Sequence, residues 1–444
     1  MKLFNCKLWA VLPALAVVLN AQAYDMKVGG ICYTKLSQTS GTVKVDVCDD
    51  PEEPYTGDIS IPATITNSGT TYKVVEIGDA AFKNCSGLTS IYTGDNVETI
   101  SAEAFSYCTK LQTVRFGANV KNLGESVFES CYVLDDVKLP EGVTSISGFL
   151  FDTCTKLSKI TFGSKVTEIL DDAFGGCEGF TTFTIPATVK TVGQSAFADC
   201  SNLKTITIPE GVETIGPSAF LRCTALEGVE IPASLQSLGK SAFKTCSHLA
   251  SVKFPASVAY TALNASTFED CASLKTLEIP QGVTSLASRL CSGCTSLTSV
   301  TIPASVTAIA SKTFDLCDSL AAVKVLATTP PKLAKANAFT TAAYQGATLY
   351  VSPDLTATYQ AAQYWSNFAS VKPLVNTGIQ TVATAASAIS VSGRTVTVTP
   401  QSTPVAVYSL DGRLVSRGTG IAQLPAPGTY VVVTPAAKSK VSAH

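Results

Sequence analysis

Apolar residues recur along most of the chain at one fixed spacing, and this spacing predicts the architecture. In a typical stretch, Ile206 and Ile208 follow Cys200 and alternate with polar residues. Alternation of this kind predicts a short strand that turns one face inward. Farther along, Phe220 lies three residues before Cys223. That spacing suits a single inward-facing turn of helix or 3₁₀ structure on the opposite side of the coil.

Eleven cysteines mark the period of this pattern. Nine of the ten intervals between them are 23 residues long, and one interval is 25 residues long. These cysteines are Cys85, Cys108, Cys131, Cys154, Cys177, Cys200, Cys223, Cys246, Cys271, Cys294 and Cys317. A fixed period of this length is the signature of a solenoid, in which every repeat adds one coil to a stack. We therefore predict a repeat array over residues 81–326.

The repeat resembles a known bacterial family. Its pattern is Ala-Phe-x-x-Cys-x-x-Leu-x-x-Ile-x-Ile-Pro-x-x-Val-x-x-Ile, and it is similar to the BspA-type leucine-rich repeats of bacterial surface proteins from about Ile59 to Lys372. The resemblance implies an α/β leucine-rich repeat solenoid with a parallel β-sheet on its concave face. It also implies adhesion to host extracellular-matrix or cell-surface proteins.

Atypical segments flank the array, as a solenoid requires to shield its terminal layers. Residues 24–80 are predicted as an N-terminal cap and partial repeat, with a hairpin turn near Ser68 and Gly69. Residues 327–375 are predicted as a C-terminal cap. There Trp365, on a helix expected from Leu355 to Phe368, is predicted to act as a lid over the last coil.

The first 23 residues have the pattern of a secretory signal peptide. Lys2 and Lys7 accompany a twelve-residue apolar stretch, Leu8–Leu19, and the small residues Ala21 and Ala23 follow. This order of charge, apolar stretch and small residues is typical of a cleaved signal. No later apolar run is long enough for a transmembrane helix. We therefore expect a secreted or bacterial cell-surface protein.

The composition changes from residue 376 to the end. Strand-like runs and an Asp411-Gly412 turn predict a small all-β sandwich over residues 376–444. The run Val407–Val415, together with Pro427–Tyr430, resembles the C-terminal sorting domains of Bacteroidetes-type secreted proteins. That resemblance implies a sorting or anchoring role, and a plain accessory domain is the alternative.

Charge and histidine content narrow the functional classes. The formal net charge of −2 lacks the excess of basic residues that nucleic-acid binding needs. Only two histidines, His248 and His444, are available as general acids or bases. No paired carboxylates or nucleophile with its base stand out, so we expect no enzymatic activity and no cofactor.

The cysteines raise the question of metal or disulfide chemistry. Zinc sites need ligands in close pairs, and only Cys291 and Cys294 lie so close within the array. Because all the array cysteines hold apolar positions of the repeat, we predict a buried packing ladder and no metal site. Cys32 and Cys48 lie outside the repeat, and a disulfide between them is one of two open alternatives, the other being free thiols.

Residues that the repeat does not need are the candidates for function. The seventh position after each cysteine points outward from the strand and is predicted to form one row along the concave face. This row contains Tyr92, Arg115, Lys138, Thr161, Thr184, Thr207, Glu230, Lys253, Glu278, Thr301 and Lys324. An insertion near Tyr260 is predicted to bulge from the array and expose its aromatic ring.

Two functional classes fit these features. Solenoids use such faces for extended partners, so the first is protein binding, with host matrix or surface proteins as partners. The second is a glycan-binding or cell-envelope scaffold protein without adhesin activity. A row of polar residues that only keeps the sheet soluble is the non-functional alternative.

Overall fold

The structure is a computed structural model that describes residues 24–37, 39, 41–48, 55–374 and several segments between 388 and 443. The predicted signal peptide and the predicted Asp411-Gly412 turn lie outside the described residues. The chain divides into two compact units, Met1–Pro373 and Leu374–His444.

The first unit is a stack of coils with a ladder of short parallel strands along one side, in four paired segments, which we call the first sheet. Neighbouring strands are offset by one repeat, so that Tyr92 pairs with Arg115 and Thr182 pairs with Thr205. The predicted parallel-strand solenoid is thereby confirmed. The strands of the first sheet are Thr56–Ser60, Gly87–Tyr92, Thr113–Arg115, Asp136–Lys138, Lys159–Thr161, Thr182–Thr184, Thr205–Thr207, Gly228–Glu230, Ser251–Lys253, Thr276–Glu278, Ser299–Ile302, Ala322–Val325, Thr348–Val351 and Ser370–Pro373.

A second parallel ladder, the second sheet, runs along another side of the coils in three paired segments, and its strands within the array are only two residues long. Each ends on a buried aliphatic residue such as Ile169, which pairs with Val192 of the next coil. Its strands are Thr70–Ile77, Thr99–Ile100, Asn122–Leu123, Ser145–Ile146, Glu168–Ile169, Thr191–Val192, Thr214–Ile215, Ser237–Leu238, Ala262–Leu263, Ser285–Leu286, Ala308–Ile309 and Lys332–Leu333.

The return segment of each coil is built from tight turns instead of helices. Within one coil, Ser195 and Asp199 both have positive φ, which a continuous right-handed helix does not allow. The amide of Phe197 instead donates to the carbonyl oxygen of Ala219 in the next coil (2.8 Å). The amide of Cys200 closes a three-residue turn onto Phe197 (3.4 Å), which is the single turn that the Phe-x-x-Cys spacing predicts.

Stacked phenylalanines fill the core of the array. The rings of Phe197 and Phe220 lie 5.4 Å apart between centroids with an interplanar angle of 10°, and Phe243 continues the stack at 5.2 Å. The buried Cys291 occupies the phenylalanine position of its own coil. The stack resumes beyond it, where Phe314 lies 5.0 Å from Phe339.

The array cysteines form the second ladder of the core. Each thiol from Cys108 onward donates to a main-chain carbonyl of the preceding coil, as Cys200 does to Phe174 (3.2 Å). All twelve free cysteines among the described residues are buried, which confirms the predicted packing role. Burial raises the pKa of Cys246 to about 12. The thiols therefore stay protonated and act as small apolar groups with one donor.

The N-terminal cap covers one end of the stack with a mixed sheet, in which Thr42–Val45 pairs in parallel with Thr70–Ile77 and the other cap strands pair antiparallel. Thr64–Asn67 pairs with the start of Thr70–Ile77 through Ser68 and Gly69, both with positive φ, as the predicted hairpin requires. The remaining strands of this cap are Met26–Val28, Ile31–Lys35 and Thr42–Val45. Cys32 and Cys48 are joined in a disulfide.

The C-terminal cap covers the last coil with aromatic residues. Trp365 is buried, and its indole Nε1 donates to the carbonyl of Pro331 (2.7 Å). The single helix expected there is wrong, because Tyr364 has a φ of 65° and interrupts it. The α-helix Thr356–Ala361 and the 3₁₀ segments Pro353–Leu355 and Trp365–Asn367 replace it. Earlier in the cap lie the 3₁₀ segment Ala336–Ala338 and the α-helix Thr341–Gly346.

The insertion in the 25-residue repeat also differs from the prediction. Tyr260 is buried against the core instead of exposed, with 8% of its surface accessible. An aromatic ring at the rim of an apolar stack gains more by burial than by projecting into water. The insertion therefore offers no aromatic binding group.

The second unit is built from antiparallel strands. Val396, Val398, Val405, Val407 and Val432 are among the residues of its own apolar core. Its strands are Ala388–Ser392, Thr395–Thr399, Pro404–Tyr408, Leu414–Thr419, Ile421–Gln423, Gly428–Val433 and Lys438–Ala443.

Candidate binding face

The outward side chains of the first sheet form the strand face, which is the face predicted to be concave. Its main row is the set of residues seven positions after each repeat cysteine. Nine of the eleven predicted row residues are exposed, and Tyr92 and Thr301 are half-buried. Because Cβ atoms alternate across a strand, the residues between them point into the core, as buried Ile206 does.

The strand pairing brings most of the predicted row residues next to one another. Direct pairs are Tyr92 with Arg115, Lys138 with Thr161, Thr184 with Thr207, Glu230 with Lys253, Glu278 with Thr301, and Thr301 with Lys324. Between Thr207 and Glu230 pairing is confined to Thr205 and Gly228, and the ladder is interrupted between Arg115 and Lys138, between Thr161 and Thr184, and between Lys253 and Glu278.

The row extends beyond the residues predicted from the repeat. Ser60 pairs with Tyr92 at one end, and Tyr350 and Lys372 continue the row after Lys324 at the other. Counting from the repeat cysteines misses all three, since their strands lie in the caps, where no repeat cysteine precedes them. The alternation in Leu349-Tyr350-Val351 was the available signal.

A second row, two residues earlier on each strand, lies parallel to the first. Most of its members carry a hydroxyl group, and in the middle of the array both rows are occupied by threonine. This flanking row contains Ser90, Thr113, Asp136, Lys159, Thr182, Thr205, Gly228, Ser251, Thr276, Ser299, Ala322, Thr348 and Ser370. The strand face is therefore rich in hydrogen-bonding groups of low charge.

Several charges on the face are paired between adjacent coils. Lys159 contacts Asp136 at 2.6 Å. The guanidinium of Arg115 lies 5.0 Å from the ring centroid of Tyr92. Hydrogen bonds from Ser90 and Thr89 hold the pKa of Asp58 below its usual value. Exposed pairs of this kind are weak and exchange readily with a partner's groups.

One cavity opens directly on the strand face. Its volume is about 560 Å³, and its lining includes Gly228, the one glycine of the flanking row. Thr205, Thr207 and Ser251 contribute hydroxyl groups to its wall, and Glu230 and Lys253 form an ion pair at its mouth (2.9 Å). A second cavity of about 380 Å³ lies at the edge of the sheet.

Other candidate chemistry is sparse in the part of the chain that the structure describes. His248 is exposed, and its Nδ1 lies 2.7 Å from the carbonyl oxygen of Thr224. No group of three or more histidine, cysteine or acidic residues among the described positions is arranged to hold a metal ion. None of the described helices has the length and apolar character that crossing a membrane requires.

Comparison with known proteins assigns the family. The model of the BspA type leucine-rich repeat region matches residues 62–180, 167–265 and 257–343, which together span more than half of the chain. This chain belongs to the BspA-type leucine-rich repeat family. The resemblance of the repeat is thereby confirmed. The family is defined by a repeat region, and no catalytic family is indicated for this BspA-type protein.

Solved structures with a similar chain come from several bacteria. The leucine-rich cell surface protein of Faecalibacterium prausnitzii is 29% identical, with 68% of this chain and 94% of that chain covered and a TM-score of 0.43. The pneumococcal vaccine antigen PcpA is 19% identical, with 79% and 98% covered and a TM-score of 0.53, a likeness that shows the fold alone. A comparison with curated proteins returns no match.

Proposed function

We propose that this BspA-type protein is secreted or displayed on the bacterial surface and binds other proteins along its strand face. The partner class is host extracellular-matrix or cell-surface proteins, and the outcome is adhesion. The observation that carries the proposal is the register of the first sheet, which aligns two rows of mostly polar side chains within its paired segments between Ser60 and Lys372.

The chemistry of the two rows supports an extended polypeptide as the partner. Hydroxyl groups on most strands, which lie about 4.8 Å apart, are positioned to bind peptide groups and polar side chains. The low charge favours hydrogen bonding over long-range electrostatic steering. Tyr92 and Tyr350 are separate aromatic residues near opposite ends of the row, which is a poor platform for stacking sugar rings.

The ends of the chain support the proposed location. Residues 1–23 have the signal-peptide pattern, and residues 376–444 resemble sorting domains. In this proposal the first segment directs export, and the second retains the protein at the surface.

A binding screen with the full mature chain tests the proposed partner class. Purified extracellular-matrix proteins and a panel of mixed glycans are immobilised side by side, and retention of the chain is measured by bio-layer interferometry. We expect saturable binding to one or more matrix proteins and none to the glycans. Binding to glycans alone would replace the proposal with the glycan-binding alternative, and binding to neither would overturn it.

A further inference from the structure

The flanking row contains a glycine that the fold does not need. Gly228 lies inside a strand, its φ is outside the left-handed region, and the nearest atom to an added Cβ is the hydroxyl oxygen of Ser251 at 3.0 Å. By contrast, a Cβ at Gly216 or Gly239 would meet main-chain atoms within 2.6 Å. Since glycine weakens a strand, its presence inside one often marks a position that something else approaches closely.

Two further features coincide at Gly228. The cavity of about 560 Å³ is lined by it, and on the side of Thr205 the pairing of its strand is reduced to Gly228 alone. Ile206 and Val229 are among its lining residues, but their side chains point into the core, so the main chain of these two strands forms the floor between the polar rows. We call this cavity the Gly228 notch. Its shape suits a side chain with an apolar stem and a polar head.

The charges at the mouth of the Gly228 notch determine which polar group of a bound side chain fits there. Glu230 and Lys253 are 75% and 73% exposed, and the lysine contacts one carboxylate oxygen. Glu278 follows Lys253 in the main row, so this part of the row carries two carboxylates and one ammonium group. A cation at Glu230 would balance the charge and release Lys253 towards Glu278.

Arginine fits this arrangement better than lysine. Its planar guanidinium donates two parallel hydrogen bonds to one carboxylate, whereas the ammonium of Lys253 contacts Glu230 as a point charge. A sugar ring is disfavoured, because none of the described side chains that line the notch is aromatic. An acidic head would leave the carboxylate of Glu230 without a partner.

We propose that the Gly228 notch binds an arginine side chain of the polypeptide that lies along the strand face. This inference rests on the proposed function and adds to it a sequence preference. The methylene stem of the arginine lies over Gly228, where no side chain intervenes, and its guanidinium forms a bidentate pair with Glu230.

An array of random dodecapeptides probed with the full mature chain tests the inference. We expect arginine to be enriched at least threefold among the peptides that the wild-type chain retains. Gly228→Thr, which fills the notch with the residue common in this row, and Glu230→Gln should both abolish the enrichment. The matched control is Ala322→Thr, which adds the same side chain to the same row where the ladder is fully paired, and it should leave the enrichment unchanged.

Three results would overturn the inference. They are enrichment of acidic residues, arginine enrichment that survives Gly228→Thr, and no retention above that of the Gly228→Thr chain. A circular dichroism melt of each variant, expected no lower than the wild type for Gly228→Thr, excludes unfolding as the cause. Failure here leaves the proposed function intact if matrix proteins still bind, and it then removes only the arginine preference.

Discussion

The phenylalanine stack makes a quantitative prediction about stability. Phe220 is fully buried and has a stacked ring on each side, whereas Phe314 has Phe339 on one side and Cys291 in the neighbouring phenylalanine position. Truncation of a buried phenylalanine to alanine costs about 3–5 kcal/mol in transfer free energy and cavity formation. Each aromatic pair adds about 0.5–1.5 kcal/mol.

We therefore expect Phe220→Ala to lower the free energy of unfolding by about 4 kcal/mol and Phe314→Ala to lower it by about 1 kcal/mol less. Urea unfolding followed by circular dichroism measures both, with the data fitted to a nearest-neighbour repeat scheme. The comparison isolates the second stacking partner, because both substitutions remove the same side chain. A loss below about 1 kcal/mol for Phe220→Ala, or a larger loss for Phe314→Ala, would refute the stacking account.

Three further predictions test other parts of the molecule. Burial raises the pKa of Cys246 to about 12, so almost all of its thiol is protonated at pH 8. Iodoacetamide should therefore leave it and the other array thiols unlabelled until the chain is unfolded, and stoichiometric labelling of the native chain would contradict this. Burial alone would raise the pKa of Glu269, but bonds from Lys244, Ser266 and Arg289 outweigh it and lower the pKa. The Glu269 carboxylate therefore stabilises the fold above the ordinary glutamate pKa, and this contribution is lost as the pH falls. We expect Glu269→Gln to lower the free energy of unfolding by about 1–3 kcal/mol in urea melts at pH 7 and to have no effect in acid. Deletion of residues 376–444 should abolish surface display in the native host, measured by antibody labelling of intact cells. Unchanged display would show that these residues have no sorting role.

Most of the fold can be predicted from the repeat period. One cysteine per coil sets the register, and alternation around it places Thr184 and Thr207 on the same face of adjacent strands, as the structure has them. The second sheet is not predictable in this way, because strands of two residues such as Glu168–Ile169 are too short to show a period. The left-handed turns also escape prediction, since residues as different as Ser195 and Phe149 adopt positive φ at equivalent positions.

The candidate site was only partly predictable, for a related reason. Outward positions follow from the alternation, but exposure at irregular positions depends on packing, which is why Tyr260 was wrongly expected to be exposed. The Gly228 notch depends on how the strands beside it pair, and the reduced pairing between Thr207 and Glu230 has no signature in the sequence of a single repeat. Tyr350 and Lys372 join the row through strand pairing in the cap, where the repeat pattern ends.

The central claim is that the strand face is the binding surface, and paired substitutions test it most directly. Two variants, Lys138→Glu and Thr184→Arg, change the main row. Their controls, Lys240→Glu and Gln194→Arg, make the same charge reversal and the same gain of a positive charge at exposed positions of the return segments. Affinity for the matrix protein selected in the screen is measured by bio-layer interferometry. The account predicts at least tenfold weaker binding for the two row variants and unchanged binding for the two controls. Unchanged binding by both row variants would contradict it.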